Sequence, residues 1–282
     1  MNEKKQIYIV KANGDKELFD EKKLEASMKR AGADFKIITE IIRVIKSELK
    51  DGMTTAEIYR QAFRLLNVGA ATPAIKYSLR KAVMELGPQG FAFEDFVGAI
   101  FKALGFKVRL RQTIGGLCVQ HEVDILAENE EKFLIGEIKF HNRQGIKSDL
   151  KVVLYVKERF DDISKGEFYG NINKSLKIEK WLITNTKFTT NGIQYAECHP
   201  DLHLMSWNYP KRGNLQELIT ESGLYPLTTL KTLSSKDKQI FLKNNIVLCR
   251  DILKGGERLF NLLGISLDKL EGTIKEINKL LN

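Results

Sequence analysis

Apolar and polar residues recur with two different periods along the chain, and the points where one period gives way to the other predict its elements. Residues 7–11 (IYIVK) and 16–19 (KELF) read as strands meeting at Asn13-Gly14, a strong signal for a tight hairpin. Asp20 then stands where a helix N-cap belongs, ahead of a helix over 21–30 with Gly32 near its end. A second helix is predicted over 33–49, with Ile37, Ile41, Val44 and Ile45 as its stripe. A third opens at Thr54 or Thr55, its capping-box spacing to Glu57 imperfect, and runs to about Leu66; a fourth starts at Thr72-Pro73 and reaches Leu86. Gly87-Pro88-Gln89-Gly90 is a linker by composition. Beyond it Phe93, Phe96, Val97, Ile100, Phe101 and Leu104 keep helical spacing until Gly105. Strands follow at 106–110, 118–127 and 132–140, turned at Gly115-Gly116 and at 128–131. A helix runs from Ser148 or Asp149 to about Phe160, a buried strand covers 181–184, a short helix opens at Thr189 or Thr190, and a last strand covers 202–206. That order is αβββαβαβ. From 214 onward the pattern is helical: a short helix over 214–220, two helices over 227–253 and two more over 256–281, meeting at Leu262-Leu263-Gly264-Ile265.

The alternation of periods predicts a multi-domain α/β chain divided at 1–88, 89–210 and 211–282. Its 282 residues, 43% hydrophobic and 29% charged, are enough for several cores. The longest run without a charged residue, Leu65 to Ile75, is too short to span a bilayer, and the opening MNEKKQIYIV is too briefly apolar for a secretory signal. Cys118, Cys198 and Cys249 have no metal-ligand spacing, so a reducing cytoplasm is the expected setting. The net charge is +9; residues 1–90 contribute +5, 91–210 nothing and 211–282 +4. The basic excess therefore flanks the middle segment, which suits either solvated faces or nucleic acid.

The chemistry concentrates in residues 121–140, HEVDILAENEEKFLIGEIKF. Strand alternation puts Glu137 and Lys139 on one face, with Leu134, Ile138 and Phe140 on the other. In the strand before, it groups Glu122 with Asp124, and His121 with Val123 and Ile125. Asp124 and Glu137 can converge on a divalent cation, with Lys139 beside them, and Glu94 stands early in the preceding helix. His121, off the Asp124 face, reads as a packed or hydrogen-bonding residue. His141 can touch a phosphate if its strand continues. Glu122 is either a supporting group or an exposed acid, and Asn142, Arg143, Gln144 and Lys147 form a polar loop.

Three resemblances sharpen these expectations. The hairpin and four helices of residues 5–86, with VKANGDKELFDEKKL, GMTTAEI and KYSLRKAV, resemble the ATP-cone, a nucleotide-binding regulatory module with a β-hairpin capping a four-helix bundle. That likeness implies ATP or dATP as a regulatory ligand. Lys11 and Lys23, and either of Lys76 and Arg80, would meet the phosphates; Val10, Glu17, Asp20 and Thr55 would line the base and ribose. Ala12 departs from the family, which usually has a second basic residue there. Residues 89–207, with FEDFVGAIFKALGFKV, HEVDILAE, Glu137-Ile138-Lys139 and TNTKFTTNGIQYAEC, resemble the PD-(D/E)xK nucleases, most nearly the Mrr-type restriction endonuclease domain. This implies a restriction-endonuclease-like αβββαβ core in which Asp124, Glu137 and the Ile138 carbonyl hold Mg2+ or Mn2+. Lys139 would act on the attacking water or the phosphate, and Glu94, the fourth catalytic candidate, would approach as a further ligand, directly or through water. The C-terminal small helical domain loosely resembles helix-hairpin-helix DNA-binding folds, with Gly264-Ile265-Ser266 keeping one of two glycines.

Together these predict a nucleotide-regulated, divalent-metal-dependent endonuclease acting on DNA, in restriction or phage defence. Its partners would be DNA, an adenine nucleotide and a second copy of the chain, joined through the cone or the C-terminal helices; no membrane is expected. The alternatives are a non-catalytic nucleotide-responsive DNA-binding protein and an RNA- or repair-directed nuclease. No GxxxxGK[ST] run is present, so ATP would be a ligand and not a fuel.

Overall fold

The computed structural model describes residues 6–12, 14–69, 71–173 and 175–281. The chain opens with β1 (Tyr8–Val10) and β2 (Lys16–Leu18), an antiparallel pair with Ile9 opposite Glu17. The expected turn residue Asn13 lies outside the described residues. Helices α1 (Glu21–Arg30), α2 (Phe35–Glu48), α3 (Thr55–Gly69) and α4 (Ala71–Met84) follow. Asp20 caps α1, accepting the Lys22 N–H at 3.0 Å. Asp34 caps α2 in the same way, so this helix starts at Phe35 and not at residue 33. The buried stripe of α2 is Ile38, Ile41, Ile42 and Ile45, with Ile37 and Val44 only partly covered. Adjacent apolar pairs at 37–38, 41–42 and 44–45 let either phase fit the sequence, and packing selects one. At α3 the capping box is complete: Thr54 N–H donates to Glu57 Oε2 (2.8 Å) and Glu57 N–H to Thr54 Oγ1 (3.2 Å). Thr54 is therefore the cap, three residues ahead of Glu57.

The middle of the chain supplies α5 (Phe91–Ala103), β3 (Lys107–Gly115), β4 (Gln120–Glu128) and β5 (Lys132–Lys139). Next come a two-residue strand β6 (Lys147–Ser148), α6 (Leu150–Ser164) and a short α7 (Glu167–Gly170). Then come β7 (Lys177–Thr184), a two-residue β8 (Lys187–Phe188), α8 (Thr190–Glu197) and β9 (Leu202–Met205). The main sheet has the order β3-β4-β5-β7-β9, antiparallel from β3 to β5 and parallel from β5 to β9. Strands β6 and β8 pair in parallel on their own, Lys147 beside Lys187; the sequence pattern does not announce them because two residues carry no period.

One face of the sheet is covered by α5, whose Phe93, Phe96, Val97 and Ile100 are fully buried. The other is covered by α6 and α8, through Val153, Val156, Phe160, Ile163 and Ala196. The C-terminal helices α9 (Leu215–Ser222), α10 (Ser235–Lys243), α11 (Cys249–Leu262) and α12 (Leu270–Leu281) extend the α5-side core. The stretch 227–253, read as two helices and a short turn, forms a 3-10 turn at Leu227–Thr229, then α10 and the first part of α11, which bends at Gly256, where φ is 47°. The N–H groups of Gly264 and Ile265 donate to Asn261 and Phe260 carbonyls, closing α11.

Helix α4 belongs to two cores. Ala74 packs with the N-terminal helices, while Leu79 and Val83 join the core formed by α5, the sheet and the C-terminal helices. Thr228 Oγ1 donates to the Ala82 carbonyl at 2.7 Å, fixing the C-terminal unit to the same helix. No helix of the described residues is long and apolar enough to cross a membrane.

Phe101 joins α5 to the sheet, its ring edge-on to Trp181 at 5.8 Å and to Phe106 at 5.6 Å. Phe101→Ala should destabilise the chain by about 3–5 kcal/mol, read from the midpoint of urea unfolding; a loss below about 1 kcal/mol would show that this ring is not a core anchor.

Candidate active site

The site begins where a ladder opens. β4 and β5 pair from Glu128–Phe133 up to Ile125–Gly136. One step further, Asp124 and Glu137 would face each other, but β4 turns away while β5 continues along β7 as far as Lys139–Thr184. Asp124 fills the gap with its side chain, Oδ2 accepting the Ile138 N–H at 2.7 Å. Gly136 lies just inside the opening, where a Cβ would come within 2.7 Å of Ile125 Cγ2, so a side chain there would push the strands apart.

A backbone irregularity aims Asp124. Arg111 stands opposite it on β3 and has φ of 55°, a left-handed conformation uncommon for arginine. The side-chain alternation slips at this pair. Ile125 and Ala127 belong to the α5-side core, whereas Val123 and Ile114 belong to the α6-side core. The strict alternation expected from sequence, which grouped Val123 with Ile125, is thus corrected, because the Arg111 backbone rotates the strand pair between them. The Arg111 guanidinium holds Glu94 at 3.2 Å and Asp95 at 2.7 Å, bringing the start of α5 to the same place.

Glu137 is buried at 4% exposure and takes a cation on each oxygen: Lys139 Nζ at 2.5 Å and Arg159 Nη1 at 2.8 Å. Arg159, from α6, also donates to the main-chain oxygen of Glu122 and lies over the Tyr155 ring at 5.4 Å. Nothing in the sequence around Arg159 marks it as part of the site; its one signal is a basic residue on the helix that covers the Glu137 face. Burial and the neighbouring Glu137 and Glu94 charges push the Asp124 carboxyl up to about 7, against the pull of the Ile138 N–H and Lys139. Burial also raises Glu94, partly offset by Arg111.

Asp124, Glu137, Lys139 and Glu94 are therefore brought together, with the Ile138 carbonyl on the same strand. Among the described residues no three His, Cys, Asp or Glu side chains form a metal cage. Two mutually repelling carboxylates and a main-chain carbonyl nevertheless suit Mg2+, which is commonly held by one or two carboxylates and completes its shell with water. His141 leaves the fork: its N–H and carbonyl are clamped by Asn185 at 2.8 and 2.9 Å, and its Nε2 meets Ser148 Oγ at 3.0 Å. Asn185 also reaches Met84 Sδ of α4, at 3.1 Å. His121 pairs with Asp162 of α6 at 2.7 Å, a structural bond away from the fork.

In the N-terminal unit, Lys11 and Lys23 converge on Glu17 at 2.6 and 3.2 Å. Asp20 is occupied as the α1 cap, and the Val10 N–H donates to Met53 beside Thr54 and Thr55. The Lys76 side chain lies outside the described residues. Open clefts of about 360 and 440 Å3 in this unit are lined by α1, α2 and α3 residues, Arg60 and Lys46 among them, and not by Lys11 or Lys23.

Residues 225–281 match the family model described as AF1548-like, C-terminal. An uncharacterised protein of Archaeoglobus fulgidus is 32% identical over 181 residues, 63% of this chain and 95% of that protein. The crystal structure of AF1548, a protein of unknown function, is similar with a TM-score of 0.56 and 28% identity, covering 68% of this chain and 97% of that one. The MspJI restriction endonuclease in complex with a 27-mer oligonucleotide gives a TM-score of 0.36 at 10% identity, over 61% of this chain and 36% of that one.

The His121 bond sets an acid dependence. It is the largest of the interactions that hold the Asp162 carboxyl down at about 2, joined by the N–H groups of Cys118 and Val119. Because an unfolded aspartate titrates near ~3.9, this depressed group stabilises the fold above about pH 4 and loses that contribution as pH falls toward about 2. Asp162→Asn should lower the melting temperature near neutral pH and flatten its decline below about pH 4. Parallel acid limbs for the chain and the variant would contradict this assignment.

Proposed function

The chain belongs to the AF1548-like family, and from that premise and the geometry of the fork we propose that it is a divalent-metal-dependent endonuclease that hydrolyses DNA phosphodiester bonds under control of an adenine nucleotide. The observation that carries this reading is the convergence of Asp124 and Glu137 at the mouth of the β4–β5 fork, with Lys139 bonded to Glu137. Phosphodiester hydrolysis needs a charge-neutralising site and an activated water held in line with the scissile bond. When bound, Mg2+ or Mn2+ would neutralise the phosphate and lower the pKa of the attacking water.

The chain's own groups divide the remaining work. Asp124 and Glu137, with the Ile138 carbonyl, provide oxygen ligands. The Ile138 N–H fixes one Asp124 oxygen, so the carboxylate is oriented before any ligand arrives. Arg159 fixes Glu137 from α6. Lys139 supplies a mobile ammonium that balances charge on the phosphate or orients the water. Glu94, restrained by Arg111, adds a further acid at the edge of the pair. The nucleotide part of the proposal rests on Lys11, at the turn of the first hairpin, meeting Glu17 and Lys23. It also rests on the chain order of the hairpin and helices α1 to α4.

Plasmid DNA incubated with Mg2+ or Mn2+ tests the reading. Asp124→Ala and Lys139→Ala should each lower the cleavage rate by about 10²-fold or more, the scale of losing a positioned acid–base or charge-stabilising group. Arg159→Met should lower it less, since it acts through Glu137. Cleavage that neither Asp124→Ala nor Lys139→Ala alters would place the chemistry elsewhere.

A further inference from the structure

Five cations act on one another where the N-terminal unit meets the central one, the charges of Arg80, Lys147, Lys11 and Lys23 all bearing on Lys187. Lys11 follows β1, Lys23 lies on α1, Arg80 on α4, Lys147 on β6 and Lys187 on β8. Lys147 and Lys187 are ladder partners in neighbouring parallel strands, so their side chains leave the ladder side by side. Arg80 lies one helical turn before Met84, whose sulfur touches Asn185, two residues ahead of Lys187. That contact docks the α4 end carrying Arg80 against the strand end carrying Lys187. Glu17 neutralises part of the Lys11 and Lys23 charge. Among the described residues no ion pair engages Arg80, Lys147 or Lys187, and the Arg80 Nε is buried without a hydrogen-bond partner. Lys187 is solvent-accessible, yet its pKa is drawn down, first by the protein around it and then by the charges of Arg80, Lys147, Lys11 and Lys23. Such a group of like charges destabilises the folded chain unless an anion of matching multiplicity joins it.

We propose that Lys147 and Lys187 complete a polyphosphate site begun by Lys11, Lys23 and Arg80, so that the phosphates of an adenine nucleotide are held across the boundary between the N-terminal and central units. This rests on the reading of the N-terminal unit as a nucleotide-binding module and adds to it the central unit's own contribution. Polyphosphate is the fitting ligand because its charge is closely spaced and multiple, and primary ammonium and guanidinium groups are its usual partners. The site also lies on the segment that leaves the fork. Lys147 precedes Ser148, whose hydroxyl contacts His141, and Lys187 follows Asn185, which clamps the His141 main chain. His141 is two residues beyond Lys139, so phosphates held by the β6–β8 pair bear on the strand that carries Lys139.

Calorimetric titration of the full chain with ATP, and separately with inorganic tripolyphosphate, tests this. The wild-type chain should bind both. The Lys147→Gln/Lys187→Gln double variant should bind both more weakly by about ten-fold for each charge removed. Its ligand-free melting temperature should equal or exceed that of the wild type, because repulsion is relieved. Lys187→Arg should retain most of the affinity. If Lys11→Gln/Lys23→Gln loses ATP while the Lys147→Gln/Lys187→Gln chain binds it as the wild type does, the inference is overturned and the nucleotide module stands. If the wild type binds neither probe, both fail together. A Lys147→Gln/Lys187→Gln chain that keeps both probes but loses affinity for a duplex oligonucleotide assigns these lysines to nucleic-acid phosphates and also overturns the inference.

Discussion

A single hydrogen bond, from the Ile138 N–H to the Asp124 carboxylate, holds the central unit in its particular shape. An inner strand of a sheet must have partners for its main-chain donors, since a buried unpaired N–H costs about 1–3 kcal/mol. β5 loses β4 beyond Gly136, and a side chain takes over the duty of the missing strand. That substitution permits a fork inside an otherwise continuous sheet, and the fork gives side chains from both faces access to one point. Arg159 enters from α6 and Glu94 from the start of α5, though these helices lie on opposite sides of the sheet. The bond that satisfies the backbone also selects the orientation of the acid, so structural and chemical requirements fall on the same atoms.

The charges around the fork are arranged in opposition. Burial disfavours ionisation of Asp124, with Lys139 pulling the other way; Glu137 carries Lys139 and Arg159 on its two oxygens, and Arg111 holds Glu94. Removing any one partner leaves the others exposed to an uncompensated neighbour, which is more damaging than removing a whole pair. The left-handed Arg111 is the strained point in this arrangement. Its φ of 55° is sustained because its guanidinium is tied to Glu94 and Asp95 while Leu110 and Gln112 on either side stay paired with Ile125 and Val123.

Much of this was readable from the residues. The stripe of α5, the Asp20 cap and the facing of Glu137 with Lys139 follow from periodicity and capping preferences, which are local. Asp124 and Glu94 are legible as partners through the order of elements and the resemblance of HEVDILAE and Glu137-Ile138-Lys139 to the PD-(D/E)xK pattern, with Glu94 early in the preceding helix. Arg159 could not be found that way: its role is set by which helix lies over the Glu137 face, and helix placement is a tertiary fact. The exchange of faces between Val123 and Ile125 was equally hidden, since alternation presumes an extended backbone and nothing in the composition around Arg111 signals a left-handed residue. The phase of the α2 stripe was ambiguous for the opposite reason, an excess of isoleucines fitting two registers.

Helix α4 sets where such a chain can be recombined. More than a third of this chain has no counterpart in the A. fulgidus relative, which is matched over 95% of its own length. The proline-glycine linker at 87–90 looks like the natural seam for adding or removing a module, yet Leu79, Val83 and Leu86 lie on its near side and are packed into the far core. A cut at the linker would strip the α5-side core of one wall and take away the acceptor of the Thr228 hydroxyl. The exchangeable boundary is instead the junction of α3 and α4. A transplanted front module must then bring its own companions for Ala74 and Tyr77 of the recipient's α4, whose Leu79 and Val83 stay with the far core.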